Sequence, residues 1–486
     1  MRGADLKEQI KKLLPKNRFA RSVSILAGGT AAGQAVVVLA SPLLTRLYSP
    51  EDFGLLAVYA SLLGIIGVVA SLRYQLAIPL PEKDEEAAHV VVLSLLVVLG
   101  MTLLTILVVV FFRDPIAQAV NMPVLANYLW LLPLGLLLTG IYDIFNYWAI
   151  RIKAFPAIAR TKFAQSLSMI GVQLGGFMLG PLALILGHVS GQAAGNTSLG
   201  MLAIRNRWSL FSRVSLKNVI LAARRYRRFP IYSTWGGAFN TAGTQLPPLL
   251  FAALFSASAA GLYMLAHRVL SLPTALLGNS IADVFLSSAA DARRNNNLGE
   301  LVNKLHSTLA KLAMPPALIL FITGPELFSL IFGPDWHKAG EVARWLAPML
   351  YIKFIVSPLS RIFIVLEQLA LNMFLQGVLL GSRVLSLVII YILNGSFIEG
   401  VILYGAVSFL SYTLFLISIT LLTKDHIKNF ILPSLKIIPV SLFIIMPILL
   451  YMLLDPTDSH NFWLTFATSV LLTILFYIYS FKCYIK

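Results

Sequence analysis

Long apolar runs alternate along the chain with short polar connections, most of them basic. The apolar windows fall at roughly 22–44, 54–78, 87–112, 127–149, 160–180, 182–204, 229–255, 260–286, 304–324, 340–365, 369–393, 397–423, 432–454 and 462–482. Each is near the ~20 residues that an α-helix needs to cross the hydrocarbon of a bilayer. The pattern predicts an all-α polytopic membrane protein with about 14 transmembrane helices. Ahead of the first window, Leu6, Ile10, Leu13 and Leu14 recur at helical spacing within the basic segment 1–21. That spacing suits an interfacial amphipathic helix, and a solvated tail is the plainer reading.

Composition agrees with the pattern. With 58% hydrophobic and only 12% charged residues over 486 positions, the chain holds more apolar surface than a soluble core could bury. The net charge of +17 is concentrated in the connections between windows, where cations set orientation and meet anionic lipid rather than nucleic acid. Between the sixth and seventh windows, Arg205, Arg207, Arg213, Lys217, Arg224, Arg225, Arg227 and Arg228 occur with no Asp or Glu among them. Arginine and lysine next to spans mark the cytoplasmic side, so this stretch and both termini are placed in the cytoplasm. Arg151, Lys153, Arg160 and Lys162 fall on the same side by alternation. Arg46, Arg113 and Lys338 are nearly all that the other side carries. The single cysteine, Cys483, excludes an internal disulfide framework, and the seven histidines are too scattered for a metal motif. The first apolar run begins near Val23 and has full span length, unlike a cleavable signal peptide.

A repeat is legible across the basic stretch. LYSPEDFGLL (47–56) aligns without gaps to LFSASAAGLY (254–263), pairing Leu47 with Leu254 and Gly54 with Gly261 at a shift of 207. WLLPLG (130–135) echoes WLAPML (345–350) at a shift of 215. An even number of spans separates the copies, so both enter the membrane in the same direction and a pseudo-twofold axis along the membrane normal relates them. The expected organisation is a basic segment 1–21, a six-helix bundle 22–204, a basic linker 205–228, a second six-helix bundle 229–423, and two additional spans in 424–486. Gly29 with Gly33, Gly171 with Gly175, Gly176 with Gly180, and Gly187, Gly191 and Gly195 are spaced by four and read as close helix contacts. Trp130, Trp148, Trp235 and Trp345 lie near span ends and read as interfacial anchors.

Residues 21–87 combine a small-residue first helix, the element Tyr48-Ser49-Pro50-Glu51-Asp52-Phe53-Gly54 and an acidic turn after the second span. With NYWAIRIKAFPAIARTKFAQS (146–166) and IFGPDWHKAGEVARWLAPML (331–350), this pattern resembles the Wzx-type oligosaccharide flippases of the multidrug/oligosaccharidyl-lipid/polysaccharide exporter superfamily. The resemblance covers about residues 20–420 and is silent on the sugar. It implies a multi-pass protein of the cell inner membrane that moves an undecaprenyl-diphosphate-linked oligosaccharide to the outer leaflet by alternating access. The coupling ion would be H+ or Na+, and O-antigen, capsule or exopolysaccharide synthesis the purpose. A polysaccharide polymerase and chain-length machinery would be its partners, and spans thirteen and fourteen would line a lateral groove for the lipid tail. An enzyme is not expected, because no outer loop is long enough to carry an extracytoplasmic catalytic site. No cofactor is expected either, since a GxxxxGK[ST] phosphate loop is absent. A major-facilitator transporter is excluded by the loop after span two, which reads Pro79-Leu80-Pro81-Glu82-Lys83-Asp84-Glu85-Glu86. A cation-coupled multidrug exporter of the same superfamily remains the rival.

Charges inside the spans separate the two. A cationic drug calls for carboxylates, whereas a diphosphate calls for cations, and here the cations prevail. Arg268, Lys353 and Arg383 are the expected diphosphate ligands, with Arg73 and Arg361 at the cytoplasmic entrance. Lys353 and Arg383 lie too deep to snorkel and so need a buried partner or ligand. Pairing with Asp143, Asp283 or Glu341 is the competing explanation. Asp143 with Asn146, and Asp283 with Asn279, are the candidates for the coupling ion. A structural ion pair between Asp143 and Arg73 is the alternative.

The topology is tested with cysteines at Ser209 and Thr457 and an impermeant thiol reagent on intact cells. Labelling is expected at 457 and not at 209, and the reverse pattern would overturn the orientation.

Overall fold

The computed structural model describes residues 18–205, 208–211, 214–423, 427–454 and 459–485. The proposed N-terminal amphipathic segment therefore lies almost wholly outside the described residues. The described chain is helical throughout, with no strand. Its first half runs α1 (Arg18–Leu47), α2 (Pro50–Gly67), α3 (Asp84–Ala119), α4 (Leu131–Arg151), α5 (Phe155–Gly175), α6 (Pro181–Arg205), the short α7 (Leu216–Arg225) and α8 (Thr234–Leu254). There follow α9 (Ala257–Pro273), α10 (Asn279–Arg294), α11 (Leu298–Phe332), α12 (His337–Leu359), α13 (Leu369–Ile392), α14 (Phe397–Leu422), α15 (Ile427–Leu454) and α16 (Ser459–Ile485). Most apolar windows coincide with a helix, but the second outruns α2, which ends at Gly67, and the eighth is divided between α9 and α10 by a π-helical turn, Thr274–Gly278. Eight helices among the described residues are long and apolar enough to cross a membrane on length and composition alone. Large apolar side chains of α3 such as Leu103 (63% exposed) and Phe111 (71%) point outward, as lipid-facing positions do.

Contacts divide the chain into two units, Met1–Met264 and Leu265–Lys486. In the first, α1 packs on α5, α5 and α4 on α6, α3 on α4 and α7, and α8 along α2. In the second, α11 packs on α12, α14 on both α12 and α13, α15 on α11, and α16 on α15.

The Ser-Pro-Glu-Asp element starts α2. Ser49 Oγ accepts from the Asp52 amide at 3.2 Å, the Asp52 carboxylate accepts from the Ser49 amide at 3.0 Å, and Pro50 occupies the first turn, where no N–H is needed. Ser396 and Glu399 build the same reciprocal cap on α14. Tyr48 donates to the carbonyl of Gln173 and ties this corner to α5, while burial and the nearby Asp52 carboxylate push its hydroxyl pKa upward and keep it protonated.

Glycine sets the closest helix approaches. A Cβ at Gly54 would collide with the carbonyl of Ala257, and one at Gly261 with the carbonyl of Pro50. Residues 54 and 50 correspond to 261 and 257 at the shift of 207, so the contact is reciprocal, as a two-fold relation generates. Gly29 and Gly33 lie against α5, as do Gly187, Gly191 and Gly195. Gly171 and Gly175 have nothing within 4 Å, so their spacing is not a packing motif. Gly180, with φ +60, makes the turn between α5 and α6 instead. Trp148 is not an interfacial anchor: it is buried against Phe211, ring centroids 5.4 Å apart.

Gly54→Ala and Gly261→Ala should each cost at least about 1–3 kcal/mol, because the neighbour is backbone and has nowhere to go. Gly171→Ala should be neutral. Melting temperature of the purified protein in detergent distinguishes them.

Candidate functional site

The second predicted span, 54–78, is not one helix. After Gly67 the chain passes through turns, places Leu72 (φ 47) and Arg73 (φ 63) in the left-handed region, and resumes as a 3-10 turn over Tyr74–Ala77. Two consecutive bulky residues there are strained, and such strain persists only where surrounding contacts impose it. Those contacts are specific. Arg151, at the end of α4, donates to the carbonyls of Pro81 (2.6 Å), Ile78 (3.3 Å) and Glu82 (3.2 Å) and pairs with Asp84 at 3.0 Å. Its side chain is only 9% exposed. Tyr74 reaches the carbonyl of Ala223 on α7, and Ser71 donates to Gln75 within the break.

The break opens a cavity of about 340 Å³ inside the first unit. α2 lines it with Gly64 and Gly67, the break with Arg73 and Gln75, α4 with Thr139 and Asp143, α6 with His188 and Gln192, and α8 with Gln245. Gly64 leaves room for Gln245, whose amide nitrogen would lie 2.9 Å from a Cβ there, and Gly237 leaves room for the Arg73 guanidinium. Asp143 lies within electrostatic reach of Arg73 and Lys162 without a direct ion pair to either. Lys162 rests over the ring of Tyr142, 4.7 Å from its centroid. Arg73 Nε and Thr139 Oγ1 are buried with no hydrogen-bond partner.

The second unit holds a different chemistry. Arg383, midway along α13, is 9% exposed. It donates to Ser408 Oγ at 2.9 Å and to the Tyr412 hydroxyl at 3.4 Å, and its guanidinium lies 5.3 Å from the ring centroid of Tyr404 and 5.6 Å from that of Tyr412. The charges of Lys353 and Arg383 both reach His267, which precedes Arg268 on α9. Of the acids expected as competitors, Glu341 faces His337 at 3.8 Å, Asp143 belongs to the first unit's cavity, and the side chain of Asp283 lies outside the described residues.

Residues 43–341, more than half of the chain, match the family described as "Polysaccharide biosynthesis protein". The chain belongs to this family. Among solved structures it superposes on "Lipid II flippase MurJ, inward closed conformation" with a TM-score of 0.73 at 15% identity, covering 95% of this chain and 99% of that one. A multidrug resistance MATE family transporter of the MOP superfamily, inward-facing, gives 0.61 at 14% identity over 82% of this chain and 96% of that one. A MOP superfamily transporter from Pyrococcus furiosus, whose binding pocket is described as having reverse polarity, gives 0.54 at 14% over 83% and 97%. At such identities the likeness is one of fold. No curated protein matches.

The cavity beside α2 lies wholly inside the range matched to the family, whereas Lys353, Arg361 and Arg383 lie beyond it. Of the residues singled out from sequence, Arg383 is buried on α13, the charges of Lys353 and Arg383 are each felt at His267, Arg268 follows it in the chain and is half-buried, and Arg361 sits half-buried in the connection after α12. Arg73 and Asp143 share the first unit's cavity. Asn146 buries Oδ1 without a partner and is not among the cavity's lining residues. The side chains of Asn279 and Asp283 lie outside the described residues. Lys162 and Arg151, read from sequence as loop cations, are built into the interior of the first unit instead. His267, His188, Gln75, Gln192 and Gln245 went unrecognised. The available signal was an amide or imidazole inside an apolar window, a costly placement without a partner. Among the described residues, no cluster of His, Cys, Asp or Glu is placed to hold a metal ion.

Arg151→Ala orphans several carbonyls of the 78–82 segment at once. It should destabilise the protein by about 1–3 kcal/mol for each carbonyl left buried, with Arg151→Lys recovering only part. Thermal melting in detergent reads the difference.

Proposed function

We propose that the protein is a flippase that carries undecaprenyl-diphosphate-linked oligosaccharide repeat units from the cytoplasmic to the outer leaflet of the inner membrane. Two bundles, residues 22–204 and 229–423, alternate access to the substrate, and an H+ or Na+ gradient drives the cycle. The transported units feed a polymerase and its chain-length machinery in polysaccharide synthesis. The observation that carries this reading is Arg383, buried among Ser408, Tyr404 and Tyr412 in the second unit, with Lys353 and Arg268 proposed as further ligands of the diphosphate. A guanidinium can give a diphosphate two parallel hydrogen bonds, and an ammonium adds a mobile point charge. Ser408, Tyr404 and Tyr412 hold the Arg383 guanidinium in place inside the second unit.

Family membership and the flippase-like fold support the same reading. So does an apolar cavity of about 280 Å³ in the second unit, lined by Pro273, Leu312, Pro316, Tyr351 and Tyr477. Tyr477 belongs to α16 and donates to the Leu312 carbonyl at 2.6 Å, so the last span contributes a wall suited to an isoprenoid chain. A multidrug exporter is the weaker reading, because buried cations repel a cationic drug. Asp143, between Arg73 and Lys162, is the carboxylate assigned to the coupling ion.

The test is transport of a radiolabelled lipid-linked oligosaccharide by purified protein in liposomes under imposed H+ and Na+ gradients. Arg383→Ala and Lys353→Ala together should lower transport at least tenfold, about 1.4 kcal/mol. Arg383→Lys should retain part of the activity, and Asp143→Asn should remove the response to the gradient. Wild-type transport by the double variant, or efflux of a cationic dye in place of the lipid, would overturn the reading.

A further inference from the structure

We infer that the cavity at the broken end of α2 is a glycosyl-binding subsite, which reads a sugar of the transported lipid through hydrogen bonds donated by Arg73, accepted by Asp143, and both given and accepted by the amides of Gln75, Gln192 and Gln245. The inference rests on the flippase reading and deepens it by naming which part of the lipid the first unit would read.

The lining decides the ligand class. A diphosphate is disfavoured here, because Asp143 presents a carboxylate to the same space as Arg73. A coupling ion at Asp143 would fill little of the space, since about 340 Å³ is far more room than an ion occupies. What remains is a neutral molecule dense in groups that both donate and accept. Three carboxamides, a threonine hydroxyl, an imidazole, a guanidinium and a carboxylate offer both kinds of bond in one small space. The volume lies at the small end of ligand sites and suits a glycosyl unit rather than a whole repeat unit.

The site also carries unspent hydrogen-bonding capacity. Arg73 Nε and Thr139 Oγ1 are buried without partners, and Gln245 makes no hydrogen bond among the described residues. Burial of such groups costs free energy unless something in the cavity answers them. Gln192 accepts from Gln165 through Oε1, and Gln75 accepts from Ser71, so these two amides are oriented from behind. Gly64 and Gly67 keep the α2 wall low: a Cβ at Gly67 would meet only the Thr139 methyl, at 3.9 Å. A larger side chain at 67 therefore enters the cavity without a clash at its base. Sites built to hydrogen-bond hydroxyls discriminate strongly, since a missing hydroxyl leaves their polar groups unpaired. Asp143 places the coupling ion and the sugar at one carboxylate, so each must alter the other's affinity by the same factor.

The experiment compares two probes on the full-length protein in detergent by native mass spectrometry: lipid-linked oligosaccharide extracted from the host membranes, and undecaprenyl diphosphate. The wild type should hold the glycosylated lipid at least tenfold more tightly. Gln192→Leu with Gln245→Leu should bring that ratio close to one while leaving undecaprenyl diphosphate binding unchanged. Gly67→Leu, which fills the cavity and removes no polar group, should do the same. Equal wild-type binding of the two lipids, or an undiminished ratio in both variants, would overturn the inference. Arg383→Ala tests the underlying reading separately. It should weaken both lipids by the same factor, and if it weakens neither while the glutamine variants still erase the ratio, the diphosphate assignment falls and the sugar subsite stands.

Discussion

Hydrocarbon offers no water to a backbone amide or carbonyl, so a chain inside it must either remain helical or supply another partner for every group it exposes. The first unit depends on how this is met where α2 stops. α2 ends at Gly67, and turns with their own bonds, Ala70 to Gly67, Tyr74 to Ser71 and Leu76 to Arg73, carry the chain through left-handed Leu72 and Arg73 to a connection whose carbonyls have no helical N–H to bond. Arg151 meets the need from α4 by donating to Ile78, Pro81 and Glu82 while Asp84 compensates its charge. The connection that follows the break therefore depends on α4 ending at that place. The cavity exists because the break does: a continuous helix over 54–78 would present side chains where Gly67, Arg73 and Gln75 now leave room.

Close backbone approach is the second organising feature. Association of helices in lipid gains little from the hydrophobic effect and relies on packing, so the reciprocal crossing of Gly54 and Gly261 does work that larger residues cannot. Glycines of α6 let it lie against α5, and this in turn aims Gln192 and His188 toward the cavity. Packing glycines and site residues thus alternate along one helix: one side of α6 gives close contact and the other gives chemistry.

The two units divide the electrostatics. The first balances Asp143 against Arg73 and Lys162 and surrounds them with amides, while the second holds Arg383 among hydroxyls and aromatic rings with Lys353 near. The fold alone would not separate a lipid-linked oligosaccharide from a cationic drug, since it is shared at 14–15% identity with structures described as a lipid II flippase and as a multidrug transporter.

Hydropathy by itself determined the class, the number of spans and most of their limits, because transfer of ~20 residues into hydrocarbon is a local sum that needs no partner. Caps were equally local: the Ser-Pro-Glu-Asp element contains both halves of its own hydrogen-bonded box. The spacing of Gly187, Gly191 and Gly195 pointed correctly to a packed face, yet the same spacing at Gly171 and Gly175 faces open space, because spacing says that a stripe exists and not which stripe is covered. Only tertiary structure decided that Arg151 and Lys162 serve the interior, that Trp148 is buried, that α2 breaks at two non-glycine residues, and that Gln75, Gln192 and Gln245 meet. Each of these depends on the energy of a partner 20 or more residues away in sequence, which no window of neighbouring residues contains.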